Sequence, residues 1–133
     1  MVERIIELAR ECKGTPFRHQ GRKRGVALDC AGLVAHVLHG LGLPVNDSKG
    51  YSRSPFDGQL EAILLAEPSL QLIPKSETQP GDVWACRIKK DPQHLMIYTG
   101  TTVIHAYAQT GRVVEQSADA WRKHVTHVYR IVA

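Results

Sequence analysis

Apolar residues recur at helical spacing from the start of the chain. Val2, Ile5, Ile6, Ala9 and Cys12 share one stripe, and Gly14, Thr15 and Pro16 then break it, which predicts an amphipathic helix over residues 2–12. Cys12 falls on that stripe, where a free thiol packs as a small core residue. Residues 17–28, FRHQGRKRGVAL, read as a polar loop in which Arg18, Arg22, Lys23 and Arg24 crowd around two glycines. The pattern turns helical again in DCAGLVAHVLHGLGLP: Asp29 is an N-cap residue, and Gly40, Gly42 and Pro44 stop the run. At about 100° per residue, Val34, Val37 and Leu41 lie within about 40° of Cys30. Cys30 therefore opens this helix on its inward face, with His39 opposite and His36 round the side toward solvent.

Asp57 is placed to cap a short helix over residues 58–67 that stops at Pro68. Short β-branched and aromatic runs follow, DVWACRI, HLMIYT, TVIHAYA, RVVEQ and THVYRIVA, with SADAWRKH as a helical turn between the last two. Helices first and an antiparallel meander after predict an α+β domain whose Cys30 helix packs on a five- to six-stranded sheet. Cys86 lies in the first of these strands as a packing residue, and the last strand reads as an edge carrying His127.

The 133 residues suit one domain, residues 1–133, without repeats or low-complexity tracts. A net charge of +4 is too small to argue for nucleic acid. No apolar run approaches the roughly 18 residues of a membrane span. Glu3, Glu7 and Glu11 interrupt what would be a signal peptide's apolar core, so no export signal is expected. Three cysteines without a C-x-x-C pair disfavour a disulfide framework or a Cys-rich zinc site. His36 and His39 have no carboxylate or thiol placed to join them as metal ligands, and the reading calls for no metal and no cofactor.

The chemistry concentrates on Cys30. A thiol in the first turn of a helix sits beside unpaired N–H groups, which favour the thiolate and lower its pKa. A cysteine nucleophile also needs an imidazole to take and return its proton, and a polar group to orient that imidazole. Gly100 and Thr101 fit a two-residue hairpin turn with glycine first. That register sets Met96 opposite His105 and His94 opposite Tyr107. His94 and His105 then share one sheet face as diagonal neighbours, about 7–8 Å apart at the backbone and closer at the ring tips. With Cys30 they form the layout of a Cys-His-His triad, the roles of the two histidines being interchangeable at this level. His19, His124 and His127 are lesser candidates.

Four segments, GTPFRHQGRKRGVALDCAGLV, QPGDVW, HLMIYTG and VIHA, resemble in order and spacing the NlpC-type, papain-like cell-wall cysteine peptidases. FRHQ resembles the branch encoded beside phage tail genes. The resemblance implies Cys30 as nucleophile, His94 as general base and acid, and His105 as the orienting residue. It implies hydrolysis of the D-γ-glutamyl–diamino acid amide of peptidoglycan stem peptides through a thioester. It also implies a second oxyanion donor from Gln20, or alternatively His19. Phe17 stands where the family commonly has Tyr, and Ala31 where it has Ser, in positions that bind the substrate peptide. Asp29 matches, either as a cap or as a contact to the substrate's ammonium. The expected partners are the stem peptide and phage tail proteins, with neither nucleic acid nor a membrane span, and the chain acting as a monomer. The expected location is a virion tail, or the medium after lysis, with action on the cell wall. Rival readings are another acyl transfer on the same fold, a non-catalytic tail or wall-binding module, and a zinc protein using Cys30, His94 and His105.

Overall fold

The computed structural model describes residues 1–47, 59–88 and 92–133. Among the described residues three helices, α1 (Val2–Glu11), α2 (Cys30–Gly40) and α3 (Gln59–Leu65), precede the main sheet, and a hairpin of two-residue strands, β1 (Arg22–Lys23) and β2 (Ala27–Leu28), leads into α2. The sheet comprises β3 (Leu70–Ile73), β4 (Val83–Arg87), β5 (Pro92–Tyr98), β6 (Thr102–Tyr107), β7 (Arg112–Ser117) and β8 (Val125–Ile131). All its neighbours are antiparallel, in the order β3-β8-β4-β5-β6-β7. This is the α+β architecture the pattern predicts, with six strands.

The elements follow from their local sequences. In α1, Ile5, Leu8 and Ala9 are buried, and the Cys12 thiol just beyond it is fully buried and reaches back to the Leu8 carbonyl. Asp29 caps α2 by accepting from the Gly32 N–H at 2.8 Å. Gly32, Leu33, Val34, Ala35, Val37 and Leu38 are all buried, so α2 is packed on nearly every side rather than along one stripe. His36, expected to face solvent with no carboxylate near, instead lies against α1 with Nε2 3.7 Å from a Glu11 oxygen. The Asp57 cap lies outside the described residues.

Three expectations need correction. The basic loop contains the β1–β2 hairpin, which pairs Arg22 with Leu28 and Lys23 with Ala27. The segment after Pro68 supplies β3, whose Gln71 and Leu72 are exposed and therefore show no alternating signature. The last strand is not an edge: β8 crosses back to lie between β3 and β4, pairing Leu70 with Ile131 and Val83 with Tyr129. The physical reason is two-sided burial. Tyr129 and Ile131 join the core shared with the helices, while Val128 joins Trp84, Met96 and Tyr98 on the other face. An edge position would leave one of those sets in water.

The sheet thus carries two apolar faces. Leu95, Ile97, Ile104 and Ala106 pack toward the helices, and Met96, Tyr98 and Val103 pack on the far side. The chain between β7 and β8 forms two short 3-10 turns, Ala118–Ala120 and Arg122–His124, where the sequence predicts a helical turn. They cover that far side. Arg122 pins them there, donating to the Tyr98 hydroxyl at 3.0 Å and lying over the Trp84 and Tyr98 rings.

Candidate active site

The β5–β6 hairpin turns at Gly100, whose φ of 112° glycine adopts at little cost. Its paired residues, Ile97 with Ile104 and Tyr98 with Val103, have the register predicted from the sequence. By alternation His94 and His105 lie on the far face, and they meet: His94 Nε2 is 2.5 Å from His105 Nδ1, with ring centroids 4.8 Å apart. Both are buried, His105 completely. Tyr107 stacks on His105 with ring centroids 5.0 Å apart, and Trp121 meets the His105 ring edge-on at the same separation.

Cys30 approaches from the helix side. The N–H groups of Leu95 and of Ala31 both bond to its sulfur. Leu95 directly follows His94 in β5, beyond the stretch where β5 and β6 pair, so the thiol meets the sheet one residue from His94. The helix N-terminus and the imidazole pair predicted from sequence are therefore brought to the same stretch of β5.

The electrostatics differ from the expectation for a helix start. Burial, then the Asp29 carboxylate, pushes the Cys30 thiol up to about 12, against the opposing pull of the Leu95 and Ala31 N–H groups and Arg22. Burial, then His105, pushes His94 down to about 3. Burial lowers His105 as well, while its bond to Gln116 opposes the shift. Both members of the pair are held toward their neutral forms, thiol and imidazole. The helix terminus favours the thiolate, but desolvation outweighs it because the charge would have little water around it.

The remaining predicted positions divide between the start of α2 and places away from it. Asp29 is 3% exposed; one oxygen accepts from the Gly32 N–H and from Arg22 at 2.9 Å, the other from the Gln20 N–H at 2.8 Å. Its carboxylate thus binds chain donors that tie the loop to the helix start. Gln20 adopts a φ of 61° as it makes this bond, and it and His19 are partly buried. Phe17 and Ala31 pack against the main core, and Ala31 also lines a small apolar cavity with Val34, Leu64 and Leu95. Cys86 is fully buried against the Met96 sulfur; His124 packs on Trp121 at the margin of the imidazole pair, and His127 lies apart, against Glu61.

Two residues of the site escaped the sequence analysis. Gln116 Oε1 lies 2.8 Å from His105 Nε2, and the Trp121 indole donates to the same oxygen at 3.1 Å. The signal for Gln116 was available: the β6–β7 register sets His105 opposite Val114, so Gln116, two residues on, shares its face. Trp121 could be found only through the path of the turns over the sheet.

Two measurements follow. Iodoacetamide on the native protein is expected to alkylate Cys30 alone, because Cys12 and Cys86 have no exposed surface, whereas denatured protein takes three adducts. Peptide mapping that finds Cys12 or Cys86 modified first would contradict the packing. Acid stability is the second. A histidine whose folded pKa is depressed stabilises the fold above its unfolded value and loses that contribution as pH falls toward the folded value. For His94 the window runs from about 6.5 down to about 3, and His36 and His105 act in the same direction. Glu115, held down to about 2 chiefly by Arg10, adds a further loss below about 4.5. Unfolding free energy measured in urea is expected to fall from pH 7 to pH 5, and His94→Gln to remove part of that slope. A flat profile over that range would contradict these burials.

Among solved structures the fold recurs at low sequence identity. The NlpC/P60 domain of the peptidoglycan hydrolase SagA matches with a TM-score of 0.71 and 19% identity, over 98% of this chain and 99% of that one. A P60 domain from a Mycobacterium avium subspecies paratuberculosis antigen matches at 0.67 and 20%, over 99% and 95%. RipD of Mycobacterium tuberculosis, described as a non-catalytic NlpC/P60 domain adapted to peptidoglycan binding, matches at 0.66 and 17%, over 99% and 97%. Other matched chains are longer: this chain spans 41% of one from Staphylococcus aureus and 65% of the M. tuberculosis peptidoglycan hydrolase RipB. No curated protein matches the chain in sequence. The NlpC/P60 family model matches residues 14–130, a span that takes in the Cys30 helix start, both histidine strands and the turns that cover them, and the chain belongs to that family.

Proposed function

We propose that this chain is a cysteine endopeptidase that hydrolyses peptidoglycan stem peptides at the D-γ-glutamyl–diamino acid amide. The observation that carries the reading is the thiol at the start of α2, bonded by the N–H that follows His94, with His94 paired to His105 at 2.5 Å. Cys30 is the nucleophile, His94 the base and acid, His105 the orienting residue. Because burial favours the neutral pair, His94 takes the thiol proton as sulfur attacks the carbonyl. The Cys30 N–H at the helix start faces the oxyanion, with Gln20, or alternatively His19, as second donor. The C–N bond breaks as His94 returns the proton to the leaving amine, leaving a thioester. Water, deprotonated by His94, then releases the acid and regenerates the thiol. Phe17 and Ala31 give the substrate side of Cys30 an apolar character, while Asp29 acts from behind it by holding the helix start. The resemblance of residues 17–20 to tail-encoded members extends the proposal to carriage on a phage tail, or release at lysis, and action on the wall. Incubation with purified peptidoglycan fragments, read by mass spectrometry, tests the reaction: cleavage after γ-D-glutamate supports it, and a cut elsewhere overturns the substrate.

A second reading, peptidoglycan binding without turnover, is favoured by the strong upward push on the Cys30 thiol and by the likeness to RipD. Retention of the protein on insoluble peptidoglycan, with every fragment intact, would select it.

A further inference from the structure

The imidazole pair does not end at His105. The Trp121 indole donates to Gln116 Oε1 at 3.1 Å, and the same oxygen lies 2.8 Å from His105 Nε2. An indole N–H can only donate, so the Gln116 atom between them is the carbonyl oxygen, which can only accept. His105 therefore carries its proton on Nε2. A neutral imidazole has one N–H, which leaves His105 Nδ1 bare and makes it the acceptor of the 2.5 Å bond from His94 Nε2. By the same count His94 Nδ1 is bare, the state a base needs. Burial, which favours neutral rings, supports counting one proton on each.

We propose that Gln116, its amide held in orientation by the Trp121 indole, is a positioning residue that fixes the tautomers of His105 and His94 so that His94 keeps an unprotonated Nδ1 for the Cys30 proton. The chain of bonds runs one way because its far end is a donor without acceptor capacity. Arg122 secures that end, since its bond to Tyr98 and its place over the Trp84 ring hold the turn that carries Trp121. When His94 takes the thiol proton, its Nε2–H still donates to His105, and the positive charge is met by a chain already polarised to receive it. The catalytic consequence rests on the peptidase reading; the tautomers do not.

The test has two arms. Imidazole ¹⁵N spectra at pH 7 are expected to show protonated Nε2 and bare Nδ1 for both His94 and His105 in wild-type protein, with this preference lost at His105 in Gln116→Leu. On stem-peptide fragments, Gln116→Leu is expected to lower kcat/KM at least about 10-fold, short of the roughly 10⁴-fold known for a base locked in the wrong tautomer. Gln116→Glu keeps an acceptor and is expected to restore the rate to within about 3-fold. Its negative charge should also move the acid limb of the pH profile upward. A residue that merely packs would give the reverse order, with Leu tolerated and Glu damaging. Reversed tautomers in wild type, unchanged tautomers in Gln116→Leu, or failure of Gln116→Glu to rescue would each overturn the proposal. If wild-type protein cleaves no fragment, the peptidase reading falls, while the spectra still decide the role of Gln116.

Discussion

Cys30→Ala is expected to lower stem-peptide cleavage by at least about 10³-fold while leaving the fold intact. The substitution removes one sulfur atom from a partly buried position at the start of α2 and leaves the Asp29 cap, the Gly32 N–H bond and the Arg22 contact in place. What it removes chemically is the only thiol close to His94 that is not sealed in the core, since Cys12 and Cys86 are fully buried. His94→Ala is expected to cost nearly as much, and Cys30→Ala combined with His94→Ala no more than either alone, because nucleophile and base act as one unit. His105→Ala should leave a measurable rate, since His94 would keep its place in β5 but lose its partner. Mass spectrometry of fragments after timed incubation, with circular dichroism on each variant, reads these outcomes. Cleavage by Cys30→Ala at the wild-type rate would remove Cys30 from the mechanism.

Gly32→Ala is expected to be the most damaging single methyl group added near the site. Gly32 lies under the turn that enters the β1–β2 hairpin, and a Cβ there would overlap the Gly21 carbonyl oxygen and press on the Leu28 side chain at 3.2 Å. Neither can yield cheaply. The Gly21 carbonyl accepts from the Asp29 N–H and from Arg22, and Leu28 is fully buried. Ala would be favoured in an open helix, by about 1 kcal/mol over glycine, so a loss of stability here measures the close approach itself. Overpacking of this kind costs about 3 kcal/mol, or roughly 10 °C in Tm for a chain of this size. The hairpin would also be levered off the helix start, so Cys30 should alkylate at a changed rate. A Tm within about 2 °C of wild type would show that the hairpin moves freely.

The parts of the site that were legible in the sequence are those set by short-range rules. An N-cap residue before an apolar helical run places Cys30, and a glycine at the first position of a two-residue turn sets the strand register that puts His94 and His105 on one face. The two sides of α2 were not legible, because a helix buried all round has no single stripe to read. Nor was the state of the thiol: a helix start predicts a lowered pKa, whereas the folded surroundings raise it.

Local sequence, then, determines the thiol at the helix start, the imidazole pair and the α+β order of elements, since capping, turn chemistry and alternation act over a few residues. Contacts between distant segments decide the rest. The return of β8 between β3 and β4 follows from burying Tyr129 and Val128 on opposite faces, the seat of Trp121 from Arg122 on Tyr98, and the alignment of Gln116 with His105 from the β6–β7 register. Each satisfies a burial or hydrogen-bonding demand that arises only once the sheet has assembled and closed off water.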